Sequence, residues 1–144
     1  MQMLWQGTKP QQPSEQIMPS TVDILVIEDD PTISRLLKDI FTLAGSAVRL
    51  APSIAAANAR LSEARPALMT LDLNMPGTSG QTFLEGLCMR PETCGIPVIV
   101  ITSQLPVKQV VIQLAAAVVA KPFDLDELLA AIERVLPGAG LLAA

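Results

Sequence analysis

The chain has no histidine and only two cysteines, Cys88 and Cys94. Two isolated thiols with no imidazole partner make neither a metal site nor a redox motif, and a reduced, cytoplasmic setting is the default for such a chain. Long apolar runs are missing too, although half of the 144 residues are hydrophobic. The longest nearly apolar stretch, Val110 to Ala120, is interrupted by Gln113 and falls short of the ~20 residues of a membrane-spanning helix. The apolar excess therefore belongs in a core, and no membrane partner is expected. Met1 to Thr21 lacks both a basic n-region and an apolar h-region, so it does not read as a signal peptide. Ten Lys plus Arg against fourteen Asp plus Glu give a net charge of -4 with no basic stripe, and nucleic acid is not an expected partner.

What is present is a set of carboxylates and one lysine, each just after a short apolar run. Glu28 and Asp29 follow Ile24-Leu25-Val26-Ile27, Asp72 follows Ala67-Leu68-Met69-Thr70-Leu71, and Lys121 follows Val118-Val119-Ala120. Apolar runs this short, separated by helical patterns, read as buried parallel strands, and residues past their carboxyl ends converge where open α/β sheets place their sites. Three acids and one amine would then meet at one edge. Carboxylates that close repel, so they need a cation, and an all-oxygen set with few protein ligands suits Mg²⁺ better than Zn²⁺.

The remaining pattern alternates strand and helix five times, which predicts a doubly wound α/β sheet of one domain's size. Strands are expected at Asp23 to Ile27, Ala47 to Ala51, Ala67 to Leu73, Ile96 to Thr102 and Val118 to Ala120. Asp30 with Pro31 opens the first helix, whose apolar stripe is Ile33, Leu36, Leu37, Ile40 and Phe41, and Gly45 ends it. Ser53 caps a helix through Ala64. A helix from about Ser79 to Met89 faces the sheet with Phe83, Leu84 and Leu87, and a weakly signalled one covers Pro106 to Ala116. Asp124 caps the last, with Leu125, Leu128, Leu129, Ile132, Val135 and Leu136 as its stripe. Met69, Met75 and Met89 read as core fillers. The domain spans 22–137, between a flexible N-terminal tail (1–21) and a C-terminal tail (138–144).

Val26-Ile27-Glu28-Asp29-Asp30-Pro31, Leu71-Asp72-Leu73-Asn74-Met75-Pro76-Gly77, Val100-Ile101-Thr102-Ser103 and Ala120-Lys121-Pro122-Phe123 resemble, in order and spacing, the motifs of the response-regulator receiver domain. The resemblance covers about Val22 to Leu136. It implies a flavodoxin-like sheet of order 2-1-3-4-5 and a stand-alone receiver in a two-component or phosphorelay pathway, in which Asp72 takes a phosphoryl group from a histidine kinase or phosphotransfer protein. Such a protein catalyses its own aspartyl phosphorylation and autodephosphorylation, acts on no separate substrate, and then changes its affinity for a target protein. By the same resemblance Glu28 and Asp29 hold Mg²⁺, or Mn²⁺ as a substitute, together with Asp72 and the backbone carbonyl of Asn74. Thr102 bonds one phosphoryl oxygen and Lys121 pairs with another. The Lys121–Pro122 bond is expected to be cis, as X-Pro bonds permit. Asn74 and Gln104 flank the path of the attacking water, and as amides they hydrogen-bond it without acting as strong bases.

The chain also departs from that family. Val118 stands where an aromatic ring is usual, Thr102 to Lys121 is about three residues shorter, and Ala115-Ala116-Ala117 replaces a Gly-Ala turn. A shortened or irregular helix is expected between Ser103 and Ala117. Val107, Val110, Val111, Ile112, Leu114, Val118 and Val119 exceed one buried stripe, which marks the helix 4, strand 5, helix 5 face as an interface for a homodimer or a target. Two alternatives stand beside this reading. Asp72-Leu73-Asn74 is also similar to the nucleophile motif of haloacid-dehalogenase phosphatases, but Asn74 leaves that family's acid-base role without an occupant. The second is a phosphorylation-independent interaction module, a pseudo-receiver.

Overall fold

Five short runs rich in β-branched and other apolar residues form the strands, and the helices between them lie against both faces of the resulting sheet. The structure, a computed structural model, describes residues 21–77 and 79–137. Its elements are β1 (Asp23–Ile27), α1 (Pro31–Leu43), β2 (Ala47–Ala51), α2 (Ile54–Glu63), β3 (Leu68–Leu71), α3 (Gly80–Met89), β4 (Val98–Thr102), α4 (Gln109–Leu114), β5 (Ala117–Ala120) and α5 (Leu125–Val135). All strand pairs are parallel and the order is β2-β1-β3-β4-β5. The expected doubly wound sheet and its 2-1-3-4-5 order are both present. Apart from Thr21, the two expected tails lie outside the described residues.

Strand parity divides the core. Leu25, Ile27, Met69, Leu71, Val98 and Val100 pack with residues of α2, α3 and α4. Ile24, Val26, Leu68, Ile99, Ile101 and Val119 pack with Leu37 and Phe41 of α1 and with Leu128, Ala131 and Ile132 of α5. Alternate strand residues point to opposite faces, so both sides of the central strands need an apolar cover. At the sheet edge, the Arg49 guanidinium grips Asp23 at 2.8 Å and donates to the carbonyls of Arg60 and Ala64 at 2.8 and 3.0 Å. One side chain thereby joins β1, β2 and the end of α2, whose last carbonyls have no helical partner.

Several element ends differ from expectation. β3 stops at Leu71 because the Asp72 carboxylate turns back to accept the N–H of Asn74 at 3.0 Å. β4 starts at Val98 because Pro97 has no N–H to give a ladder, although its carbonyl still accepts from Met69. The fourth helix is only Gln109–Leu114, and Lys108 before it makes no side-chain cap. Leu36 on α1 and Leu125 on α5 sit at the edges of their stripes and are 45% and 49% exposed. Met69 and Met75 fill core positions, but Met89, at the end of α3, is exposed.

On the α4-β5 face, Val111 and Val119 are core residues and Val107, Val110, Leu114 and Val118 are half-buried against it. Of the seven apolar residues counted toward an interface there, only Ile112 is left largely in solvent, 51% exposed.

Thr70, like Ser46 in the turn before β2, is a buried residue whose hydroxyl stands alone among the described residues. Thr70 lies on the central strand between Val26 and Ile99, is 1% exposed, and its hydroxyl has no hydrogen-bond partner among the described residues. A buried hydroxyl without a partner costs about 1–3 kcal/mol, whereas a methyl there costs nothing in desolvation. Thr70→Val should therefore raise stability by about 1 kcal/mol in urea unfolding; a loss of similar size would mean that the hydroxyl is satisfied.

Candidate functional site

The site grows from the register. Ile27 lies opposite Leu71, so the next residues, Glu28 and Asp72, leave adjacent strand ends side by side. The Asp72 N–H still bonds the Ile27 carbonyl at 3.1 Å and the Glu28 N–H the Ala51 carbonyl at 3.1 Å, which holds both residues at the sheet's carboxyl edge. Thr102 lies opposite Ala120, and the Lys121 N–H bonds the Thr102 carbonyl at 2.9 Å. Glu28, Asp72 and Lys121 lie two residues beyond Val26, Thr70 and Val119, of which Val26 and Val119 pack in the α1-α5 layer and Thr70 sits opposite Val26 and Ile99 of that layer. They emerge on the same side.

The outcome is a charged cluster held mostly away from water. Lys121 Nζ donates to Glu28 Oε1 at 2.8 Å and to Asp72 Oδ2 at 3.2 Å. Glu28 Oε2 also accepts the Asp30 N–H at 3.2 Å. Carboxylate oxygens of Glu28, Asp29 and Asp72 lie within 4.8 Å of one another; Glu28 and Asp72 are buried and Asp29 faces solvent. Three hard oxygen donors, one of them open to solvent, fit a small divalent cation that keeps part of its water shell. Burial raises the pKa of Glu28, despite its bonds to Lys121 and to the Asp30 N–H. Burial alone would lower the pKa of Lys121, but the hydrogen bonds and charges of Glu28 and Asp72 outweigh it and hold the ammonium above its usual range. The cluster carries more negative than positive charge.

The other expected residues take defined places. Thr102 is fully buried and its hydroxyl oxygen accepts the Gln104 N–H at 3.0 Å, with no bond to Asp72 or Lys121. Its own proton is free to donate. Asn74 and Gln104 are both exposed at the rim. The Lys121–Pro122 bond is cis, as expected, and Leu105–Pro106 is cis as well.

Gly80 is the residue that the sequence reading missed. A Cβ there would lie 2.6 Å from the Leu73 Cα and 3.0 Å from the carbonyl oxygens of Asp72 and Leu73. The first turn of α3 thus presses directly on the loop that carries Asp72. The signal was available: glycine is a poor choice inside a helix unless something must approach its backbone closely. Gly80→Ala should push that loop aside, costing about 1–3 kcal/mol of overpacking in denaturant unfolding and weakening divalent-metal binding; full retention of both would remove Gly80 from the site's support.

The raised Glu28 pKa has a signed consequence for the metal-free protein. A carboxyl that binds its proton more tightly in the folded state adds stability below its ordinary value of 4.5 and loses it as pH rises through the folded value. The Lys121 contribution persists until far more alkaline pH, because its own value is raised above 10.5. In EDTA, Glu28→Gln should therefore be at least as stable as the parent at pH 7, with the advantage vanishing near pH 4 in thermal melts. An advantage that grows on acidification would contradict the burial effect.

Comparison with known proteins agrees with this geometry. Residues 24–133 match the family described as "Response regulator receiver domain". The chain is 34% identical over 116 residues to the phosphate regulon transcriptional regulatory protein PhoB of Rhizobium meliloti, covering 78% of this chain and 51% of that one. It thus spans about half the length of that relative. It is 30% identical to sporulation initiation phosphotransferase F of Bacillus subtilis, covering 79% of this chain and 93% of the relative. Among solved structures, chemotaxis response regulator CheY4 of Vibrio cholerae superposes with a TM-score of 0.76 at 26% identity, over 81% of this chain and all of that one. The strand order, the acidic cluster and the lysine beside it are accounted for together: this chain belongs to the response-regulator receiver family, whose general role is phosphorylation-dependent switching in two-component systems.

Proposed function

We propose that Asp72 is the phosphoacceptor of this receiver, taking a phosphoryl group from a histidine kinase or phosphotransfer protein, and that the phosphorylated chain then alters its affinity for a target protein. The observation that carries the reading is the meeting of Glu28, Asp72 and Lys121 within 3.2 Å, beside the exposed carboxylate of Asp29. In the transfer a carboxylate oxygen of Asp72 forms a bond to phosphorus as the bond to the donor's nitrogen or oxygen breaks, and the donor keeps that electron pair. The Lys121 ammonium, already beside Asp72, pairs with one phosphoryl oxygen, and the Thr102 hydroxyl donates to another. Glu28, Asp29, Asp72 and the Asn74 carbonyl would hold Mg²⁺, or Mn²⁺ in its place, which supplies charge neutralisation of the transferred group. Asn74 and Gln104 at the rim leave water a path with no strong base along it, so the phosphoryl group hydrolyses at an intermediate rate.

The competing reading is an interaction module that works without phosphorylation. Val118 in place of a ring and the six-residue α4 favour it, because both lie where such a domain would pass on its signal. The two readings part at the chemistry. Acetyl phosphate and Mg²⁺ should add one phosphoryl group to the parent protein, mapped by mass spectrometry to the peptide holding Asp72. Asp72→Asn should abolish the gain and leave unfolding stability equal or slightly higher, since one of three clustered acids becomes neutral. Uptake that persists at another residue in Asp72→Asn would sink the assignment, and no uptake by the parent would favour the interaction module.

A further inference from the structure

Beside the acid cluster, between α1 and the carboxyl end of β2, lies an open cavity of about 540 Å³, in the ~300–1,000 Å³ range of small-molecule sites. Its α1 wall is Pro31, Ser34, Arg35 and Lys38, with Asp39 at its end. These positions follow the i, i+3, i+4, i+7 spacing of a single helix face. Leu50 and Pro52 supply an apolar floor from β2 and the turn after it, and Glu28 and Asp29 close the end nearest the acid cluster.

Two observations mark this cavity as more than a surface groove. Arg35 and Lys38 are exposed and, among the described residues, form no ion pair or hydrogen bond, although four of the cavity's neighbours or lining residues are acidic or polar. Ser34 is 8% exposed, and its hydroxyl has no partner among the described residues; only its backbone N–H is bonded, to the Asp30 carbonyl at 2.9 Å. The Ser34 hydroxyl keeps contact with the cavity it lines, so it can donate to or accept from a ligand's polar atom.

The mixture of chemistries narrows the ligand. A bare anion would meet Arg35 and Lys38 but would be repelled by Asp29 and Asp39, and would leave Pro31, Leu50 and Pro52 uncovered. A cation would be repelled by the two basic side chains. A nucleoside phosphate carries all the complements at once: a phosphate for Arg35 and Lys38, sugar hydroxyls or an exocyclic amine for Asp29, Asp39 and Ser34, and a flat base for the apolar floor and the guanidinium plane. We infer that the α1-β2 cavity is a binding site for a nucleoside monophosphate, separate from the phosphoacceptor. It gives the domain a small-molecule input on the helix beside its acid pair, and it does not rest on Asp72 being phosphorylated.

Calorimetric titration of the full chain in EDTA with adenosine and guanosine 5′-monophosphates, and with inorganic phosphate, tests this. At least one nucleotide should bind once per chain in the micromolar to low-millimolar range, at least about tenfold tighter than inorganic phosphate. The double variant Arg35→Glu/Lys38→Glu, at exposed positions that leave the fold intact by circular dichroism, should lose at least about tenfold. Ser34→Ala should lose severalfold, and Asp72→Asn should bind as the parent does, so failure of the phosphoacceptor reading leaves this result readable. The inference is overturned if neither nucleotide binds saturably by about 5 mM, if inorganic phosphate binds equally well, or if the charge-reversed pair binds unchanged.

Discussion

Everything at the functional edge of this protein depends on one geometrical fact: parallel pairing of β1 with β3 sets two carboxylates next to each other where the strands end. Glu28 and Asp72 are not brought together by a flexible loop; the Ile27-Leu71 register leaves them no other place. Their repulsion is partly offset by Lys121, delivered from β5 across the end of β4, and the balance remains negative once Asp29 is counted. A folded domain tolerates such a cluster when the rest of its core is stable enough to hold it. Here two apolar layers do so, one on each face of a sheet whose strands β3 and β4 are buried along their whole length and β1 from Ile24 on. Strain of this kind at a strand edge is what makes a site receptive to a cation and to a group that carries negative charge.

Much of this was legible in the sequence, because buried parallel strands write themselves as short apolar runs and the chemistry follows immediately after them. β1 and β2 match the sequence pattern to the residue, and the expected caps Asp30, Ser53 and Asp124 accept backbone N–H groups at their helix starts, whereas Ser79, expected as the first residue of its helix, caps it instead. What pattern could not show is where a side chain ends an element by competing for its backbone. Asp72 does this to β3, so the strand is shorter than its apolar run suggests. Edge positions of amphipathic helices, such as Leu36 and Leu125, are equally invisible, since periodicity gives a stripe and not its margin. The Lys121–Glu28 bond joins residues 93 positions apart in the chain, and no local signal measures that distance.

The segment between Thr102 and Lys121 shows how a family fold absorbs a shortened connection. α4 shrinks to Gln109–Leu114, the chain before it turns through a cis Leu105–Pro106 bond, and the Ala116 N–H bonds the Val98 carbonyl to bring the chain into β5. Val107, Val110, Leu114 and Val118 are spent in covering the sheet, which a two-turn helix can do only if nearly all its apolar residues face inward. With little surplus left on that face, α1 becomes the more distinctive surface. Among the described residues its Arg35 and Lys38 form no ion pair, its Ser34 hydroxyl has no partner, and it borders the cavity of about 540 Å³ beside the acid pair.

The central claim is that the converging acids form a divalent-cation site, and a calorimetric Mg²⁺ titration of the parent beside Asp29→Ala tests it most directly. The account predicts one saturable Mg²⁺ per chain in the parent and a markedly weaker affinity once the exposed carboxylate of Asp29 is gone. No saturable binding by the parent, or an affinity unchanged in Asp29→Ala, would contradict it.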